Sequence, residues 1–323
     1  MIPARKSWLI DSSATTTQMI IGIEGGIIWP IGPEAAESAA EKSRFHPRCS
    51  IFGIMIPPIV AGLVILSIHA YLGLHVIARG VIFVDLAFAQ IAALGATVGF
   101  LTGVEHGTPT ALAFSMGFTL VGALIFSYSR LDGTVVPQEA VIGITFVVAS
   151  AAVILIAGFT AEGAEHIAET LTGTLIWVGW PEIVRMAVVY AILGVIYFIF
   201  RKPFLSVSLG EADAPRARGW DFLFYALFGI VISFSVPVAG VLMVFSALVI
   251  PAVVAFLFTS RFRVALGIAW AVGTVTLVTG VVASFASDIP TGPLLVCMFG
   301  LAVLIALLIR MLTGVRPGSV VKS

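Results

Sequence analysis

Charge is what this sequence has least of. Of 323 residues, 11% are Asp, Glu, Lys or Arg, whereas 59% are hydrophobic and the mean hydropathy is +1.12. A soluble domain carries roughly 25% charged residues, so water is excluded as the solvent for most of this chain and a lipid bilayer takes its place. The few charges balance, with Lys+Arg and Asp+Glu at 17 each. No excess of either sign points to nucleic acid as a partner. Cysteine is scarce as well. Cys49 lies in a polar stretch, Cys297 lies in an apolar run, and no CxxC occurs. A disulfide framework and a thiolate metal motif are both excluded, and Cys297 reads as a small buried apolar group.

Catalytic motifs are absent too. No Gly-Lys pair exists, so there is no GxxxxGK[ST] phosphate loop, and neither GxSxG nor HExxH occurs. The chain is not expected to hydrolyse ATP, to act as a common hydrolase, or to bind a cofactor of its own. The lysines, Lys6, Lys42, Lys202 and Lys322, all lie outside the apolar runs, which argues against a Schiff-base site in the membrane. Among His46, His69, His75, His106 and His166, no two are four residues apart, so no compact helical metal cage is expected.

What is present is a series of long apolar runs. A helix needs about 20 apolar residues to cross the hydrocarbon core. By that rule the chain holds about nine spans, eight at the fewest, near 52–77, 86–104, 109–129, 138–160, 183–200, 221–237, 239–257, 264–286 and 292–312. The runs are too long and continuous for barrel strands, so the fold class is all-α, a polytopic membrane helix bundle. The expected organisation is an N-terminal tail over 1–50, one transmembrane domain over 51–313 and a C-terminal tail over 314–323. Arg79, Arg130, Arg201, Lys202, Arg216, Arg218, Arg261, Arg263, Arg310, Arg316 and Lys322 fall at alternate ends of the spans. The positive-inside rule makes those ends cytoplasmic, the C-terminus among them. The tail breaks this pattern with Arg5, Lys6, Lys42, Arg44 and Arg48, and it lacks the layout of a signal peptide. Two expectations follow: the tail is disordered, or translation begins at Met55.

Four stretches stand out. Asp85 and Gln90 lie in or beside the second span, and Gly95, Gly99 and Gly103 follow at intervals of four. Ionisable groups at membrane depth usually face a bundle interior or a pathway. Asp85 thus reads either as part of an ion path or as a helix cap or partner of Arg79, and the glycines read as a helix-packing stripe. The second stretch is an acidic outer connection bearing Glu162, Glu165 and Glu169, with Trp177 and Trp180 at headgroup level. It reads as a dock for a basic partner, as a means of concentrating cations, or as an ordinary solvated loop. In the third, Pro251 interrupts an apolar run near its cytoplasmic end and is expected to break or kink the helix. Two readings follow: a kinked span with a basic exit, or a short helix ending in Arg261 and Arg263 that lies at the interface and meets a cytoplasmic subunit. The fourth, Asp288-Ile-Pro290-Thr-Gly292-Pro293, suits a tight turn.

Together these segments resemble the permeases of zinc/manganese/iron-type ABC transporters. The likeness is carried by Arg79-Gly-Val-Ile-Phe-Val-Asp85-Leu-Ala-Phe-Ala-Gln90-Ile-Ala-Ala-Leu-Gly95, Glu139-Ala-Val-Ile-Gly143-Ile, Leu171-Thr-Gly173-Thr-Leu-Ile-Trp177, Gly240-Val-Leu-Met-Val-Phe-Ser-Ala-Leu-Val-Ile-Pro251-Ala, and Asp288-Ile-Pro290-Thr-Gly292-Pro293. It covers about residues 52–312. The resemblance implies a type II importer-like permease in the cell membrane, homodimeric, with its pathway at the subunit interface. It implies two cytoplasmic ATPase subunits that use the ATP, and an extracytoplasmic metal-binding protein. It also places coupling contacts with the ATPase within Gly240 to Arg263, with Pro251, Ala252, Val253, Arg261 and Arg263 as candidates. Glu162, Glu165 and Glu169 become candidates for docking the binding protein.

One position departs from the family pattern. Many metal-importing members carry an Asp and a His four residues apart in the second span, touching the passing ion. With Gly95 aligned, the His position holds Gln90 and the Asp position holds Leu86, one residue from Asp85. Asp85 and Gln90 are five apart and do not share a helical face, and Gln is a poorer ligand for Zn²⁺ than imidazole. The ion-path candidates are therefore Asp85 and Gln90, with His69 and His75 of the first span as possible sources of imidazole. The rival reading is a secondary transporter driven by an ion gradient, which would carry mid-membrane charges and inverted repeats.

Overall fold

A computed structural model describes residues 21–24, 27–30, 51–104, 108–129, 136–158, 173, 175–210 and 214–314. The chain divides into two units, residues 1–54 and 55–323. What is described of the first, apart from the start of helix α1, is an antiparallel hairpin. Strand β1, Ile21–Glu24, pairs with β2, Ile27–Pro30, with Ile23 opposite Ile28. The rest of the tail expected over 1–50 lies outside the described residues.

The second unit is helical throughout its described residues. Its elements are α1 (Ile51–Arg79), α2 (Val84–Leu101), α3 (Pro109–Tyr128), α4 (Gln138–Ala157), α5 (Trp180–Ile199), α6 (Arg201–Ser208), α7 (Ala214–Ala239), α8 (Val241–Phe258), α9 (Phe262–Ser287) and α10 (Thr291–Thr313). All but α6 are long and apolar enough to cross a membrane, which makes nine spans among the described residues. A helical turn, Leu175–Trp177, precedes α5.

Packing follows from small residues where backbones meet. α1 runs through the core, and Gly73 faces the Leu248 carbonyl of α8 so closely that a Cβ there would overlap it. Leu66 and Leu277 fill the α1–α9 contact, opposite Gly273 and Gly62. α2 packs on α3 and α4, α3 packs on α7, and α8 packs on α9 and α10. The stripe read from the sequence is used over two of its three members. Gly95 and Gly99 lie against Phe114 of α3, whereas Gly103 lies beyond the end of α2 with φ +86°. Apolar side chains also cover the outside: Val147 and Leu155 on α4, Val188 and Ile192 on α5, and Leu304 and Leu308 on α10 are all exposed. In water such a surface would be an aggregation liability, and in lipid it is the expected exterior.

Three local expectations are corrected. α8 runs unbroken through Pro251, and no separate short helix follows it. Proline leaves the carbonyl one turn earlier without its usual partner, but a tightly packed membrane helix tolerates this. The span expected over 221–237 begins earlier, at Ala217, within α7, which itself starts at Ala214. Cys297 is exposed rather than buried, because hydropathy along a run does not tell which face a residue occupies.

Candidate functional site

The polar groups of the bundle gather around α1. His69 and His75 are both fully buried. The Nδ1 of His69 lies 2.8 Å from the carbonyl of Ile65, which can only accept, so Nδ1 carries the proton. Its Nε2 then carries no proton and lies 3.3 Å from the Ser235 hydroxyl of α7, whose single proton has a closer acceptor in the Val231 carbonyl at 2.9 Å. Six residues on, His75 faces a different group. Its Nδ1 lies 2.8 Å from Ser208 Oγ at the end of α6. The same hydroxyl accepts the Nε–H of Arg79 at 2.9 Å and lies 2.7 Å from the Phe204 carbonyl, to which it donates. Arg79 in turn forms an ion pair with Asp221 of α7, both side chains being almost wholly buried. Its guanidinium stands 3.9 Å above the Phe224 ring. A charge removed from water needs such a set of partners, and a guanidinium stacks well on an aromatic face.

Asp85 is different. It lies in the first turn of α2, 1% exposed, and neither carboxylate oxygen has a hydrogen-bond partner. The cap position before α2 is Phe83, and Arg79 is committed to Asp221. Neither structural role expected for Asp85, cap or partner of Arg79, is realised. Gln90 is half-buried on the same helix, about 140° around the axis from Asp85. No group of three or more His, Cys, Asp or Glu among the described residues is placed to hold a metal ion.

The coupling candidates separate into two kinds. Pro251 is buried and Ala252 is fully so, against Gly73 of α1, while Val253 is partly buried. Pro251 and Ala252 are thus packed within their own bundle. Arg261, at the cap of α9, and Arg263, in its first turn, are exposed. Glu162, Glu165 and Glu169 lie outside the described residues.

Two features escaped sequence reading. Asp221 and Ser208 are core partners of α1, but both follow Arg-rich or polar stretches that resemble solvated loop. The other is a cleft of about 730 Å³ at the end of the bundle remote from Arg79, lined by Ala96, Ser115, Trp177, Glu182, Arg185 and Phe234 among others. Glu182 and Arg185, one turn apart on α5, are exposed there. A lining that is mostly apolar with a few polar groups is typical of a ligand pocket. The arrangement provides a cleft at one end of the bundle and, toward the other end, buried polar contacts along α1.

Curated relatives of this chain are named as membrane proteins of iron and manganese transport systems. It is 26% identical over 217 residues, 64% of this chain and 75% of the relative, to a "Probable iron transport system membrane protein" of Haemophilus influenzae. It is 22% identical over 258 residues, 77% of this chain and 84% of the relative, to the "Manganese transport system membrane protein MntC" of Halalkalibacterium halodurans. Its fold is that of a chain in the solved structure "PsaBC from Streptococcus pneumoniae in complex with Fab", with a TM-score of 0.66, 20% identity, and coverage of 84% of this chain and 94% of that one. The profile of the ABC 3 transport family matches residues 51–310, which take in the described membrane spans up to the last three residues of α10, and the chain therefore belongs to that family.

Proposed function

We propose that this chain is the membrane-spanning permease subunit of an ATP-driven importer of divalent metal ions of the Zn/Mn/Fe class. The observation that carries this reading is the family match across the whole helical bundle, and the iron and manganese systems of the relatives give the substrate class. Two copies form the pathway, two cytoplasmic ATPase subunits supply the work, and an extracytoplasmic binding protein delivers the ion. The C-terminus and the Arg79 end are cytoplasmic, following the arginine distribution. The metal passes as cargo from the outer cleft toward Asp85 and Gln90. With nucleotide favouring one of two conformations, closure of the ATPase pair alternates access.

Contacts with the ATPase are assigned to the exposed cations at the cytoplasmic end: Arg261 and Arg263, and with them α6, whose Arg201 and Lys202 are exposed while Phe204, Val207 and Ser208 are buried. The acidic residues Glu162, Glu165 and Glu169 are assigned to the binding protein. The rival, a gradient-driven carrier, is favoured by the unpartnered Asp85. Reconstitution in proteoliposomes with the ATPase and binding protein decides between them. ATP-dependent uptake of Mn²⁺, Fe²⁺ or Zn²⁺ that survives a protonophore is expected. Uptake that needs an ion gradient and ignores ATP would favour the rival, and no uptake of any of the three would end the substrate assignment.

A further inference from the structure

We propose that the Ser208 hydroxyl is the positioning link through which displacement of α6 is passed to α1. The inference rests on the reading of the chain as an ATP-driven permease and names how its motion enters the bundle.

α6 is short and amphipathic. Arg201 and Lys202 face outward, and Phe204, Val207 and Ser208 face the bundle. Phe200 ends α5 and begins α6, so the two helices follow one another without a loop. Most of the seat of α6 is aromatic. The Phe204 ring lies 5.3 Å from Tyr197, 5.7 Å from Phe224 and 5.9 Å from Trp220. Apolar contact is non-directional, so it holds α6 against the bundle but does not fix its position along it. A hydrogen bond depends steeply on distance and angle and does fix that position.

Ser208 supplies such bonds to one helix, α1, at two places a turn apart. It meets His75 Nδ1 at 2.8 Å and the Nε of Arg79 at 2.9 Å. A hydroxyl has one proton and two lone pairs. With the proton on the Phe204 carbonyl, the lone pairs accept from Arg79 and from an Nδ1–H of His75, and all three contacts are satisfied at once. That arrangement assigns the Nδ1–H tautomer to His75 and leaves Nε2 bare, in keeping with the lack of a partner at Nε2. Arg79 is meanwhile held to α7 by Asp221. Ser208 is thus the polar junction of α6 with α1, while Arg79–Asp221 joins α1 to α7. A push on the exposed face of α6 cannot move Ser208 without moving α1 or breaking two hydrogen bonds, one of them to a charged group.

At Gly73 the backbone of α1 closely approaches that of α8. Motion of α1 therefore reaches the centre of the bundle rather than dissipating at its surface.

The test uses the full chain with its ATPase and binding protein in proteoliposomes, Mn²⁺ as the transported ion, and ions taken up per ATP hydrolysed as the readout. In Ser208→Ala, hydrolysis is expected to stay near the wild-type rate while uptake per ATP falls about tenfold, the scale of losing a hydrogen bond to a charged group. Ser208→Thr, which keeps the hydroxyl, is expected to restore the ratio. Should the alanine variant fail to reach the membrane, Ser208→Cys, of similar size but with a weak donor and acceptor, carries the same expectation. An unchanged ratio in the folded variants overturns the link. So does a parallel fall of hydrolysis, uptake and thermal stability, which is the mark of a merely structural residue. Wild-type complex that hydrolyses ATP without uptake removes the transport reading itself, and the link falls with it.

Discussion

Gly173, in the connection before α5, lies against the backbone between α7 and α8, where Gly240 alone separates the two helices. A Cβ built on Gly173 would overlap the carbonyl carbon of Ala239 and the nitrogen of Gly240. Both glycines have positive φ, +70° and +76°. Two segments that look unrelated in sequence therefore form one close backbone contact, and neither residue tolerates a side chain well.

Gly173→Ala is expected to destabilise the chain by about 2–4 kcal/mol, combining left-handed strain with overpacking. The measurement is thermal unfolding of the purified protein in nanodiscs. Gly194→Ala on α5, where a Cβ meets nothing within 4 Å, is the control and should change little. Equal midpoints for the two variants would contradict the close approach.

The buried pair of Arg79 and Asp221 predicts non-additivity. Arg79→Met or Asp221→Leu alone strands a charge in the bundle and should cost about 3–5 kcal/mol. The double variant replaces both with apolar groups and should recover most of that loss. Chemical or thermal unfolding of the four proteins gives the coupling energy directly, and strictly additive losses would mean that the two side chains do not interact in the membrane.

The spans were legible because length and hydropathy together specify a membrane helix, and the structure places nine where the apolar runs stand. What was not legible is which distant residues share a face. A partnership with Arg79 is one of three readings the sequence allows for the nearby Asp85, yet the partner of Arg79 lies 142 residues away on α7, because tertiary contact does not follow proximity in sequence. From its local chemistry Pro251 reads as breaking or kinking its helix, and α8 runs on through it without a break, because its packing against α1 outweighs the one backbone bond that proline removes. Glu162, Glu165 and Glu169 lie outside the described residues, so their placement adds nothing to the acidic pattern seen in the sequence.

Burial changes what substitutions near Pro251 are expected to do. A charge at Ala252 would face α1 at Gly73 rather than a partner subunit. Ala252→Asp should therefore lower the folded yield in membranes by several kcal/mol of buried-charge cost and impair ATPase binding only through misfolding. Size-exclusion profiles and ATPase pull-down of the surviving folded fraction check this. A well-folded Ala252→Asp protein that has selectively lost its ATPase would show that this part of α8 is exposed after all.

Arg261 and Arg263 offer the opposite profile. Both are exposed, so reversing their charge should leave the unfolding free energy within about 0.5 kcal/mol of wild type. If they touch the ATPase, Arg261→Glu with Arg263→Glu should weaken its binding about tenfold, with a marked dependence on salt. Binding measured at low and high ionic strength tests the assignment, and unchanged affinity at low salt would exclude these residues from the interface.

Asp85 yields the prediction closest to the transported ion. A carboxylate with no protein partner in a buried setting is costly to keep, whereas a neutral amide of the same shape is less so. Asp85→Asn should thus leave the fold as stable as wild type or more stable, the reverse of what is expected at Asp221. On the ion path, the lost charge removes an attraction of a few kcal/mol for a divalent cation at close range, even at an effective protein dielectric, so Mn²⁺ uptake should fall at least about tenfold. Gln90→His, which adds an imidazole on the same helix, should raise uptake of Zn²⁺ relative to Mn²⁺, since imidazole suits zinc better than a carboxamide does. An Asp85→Asn protein that is less stable yet transports normally would assign the carboxylate to the fold and take it off the path.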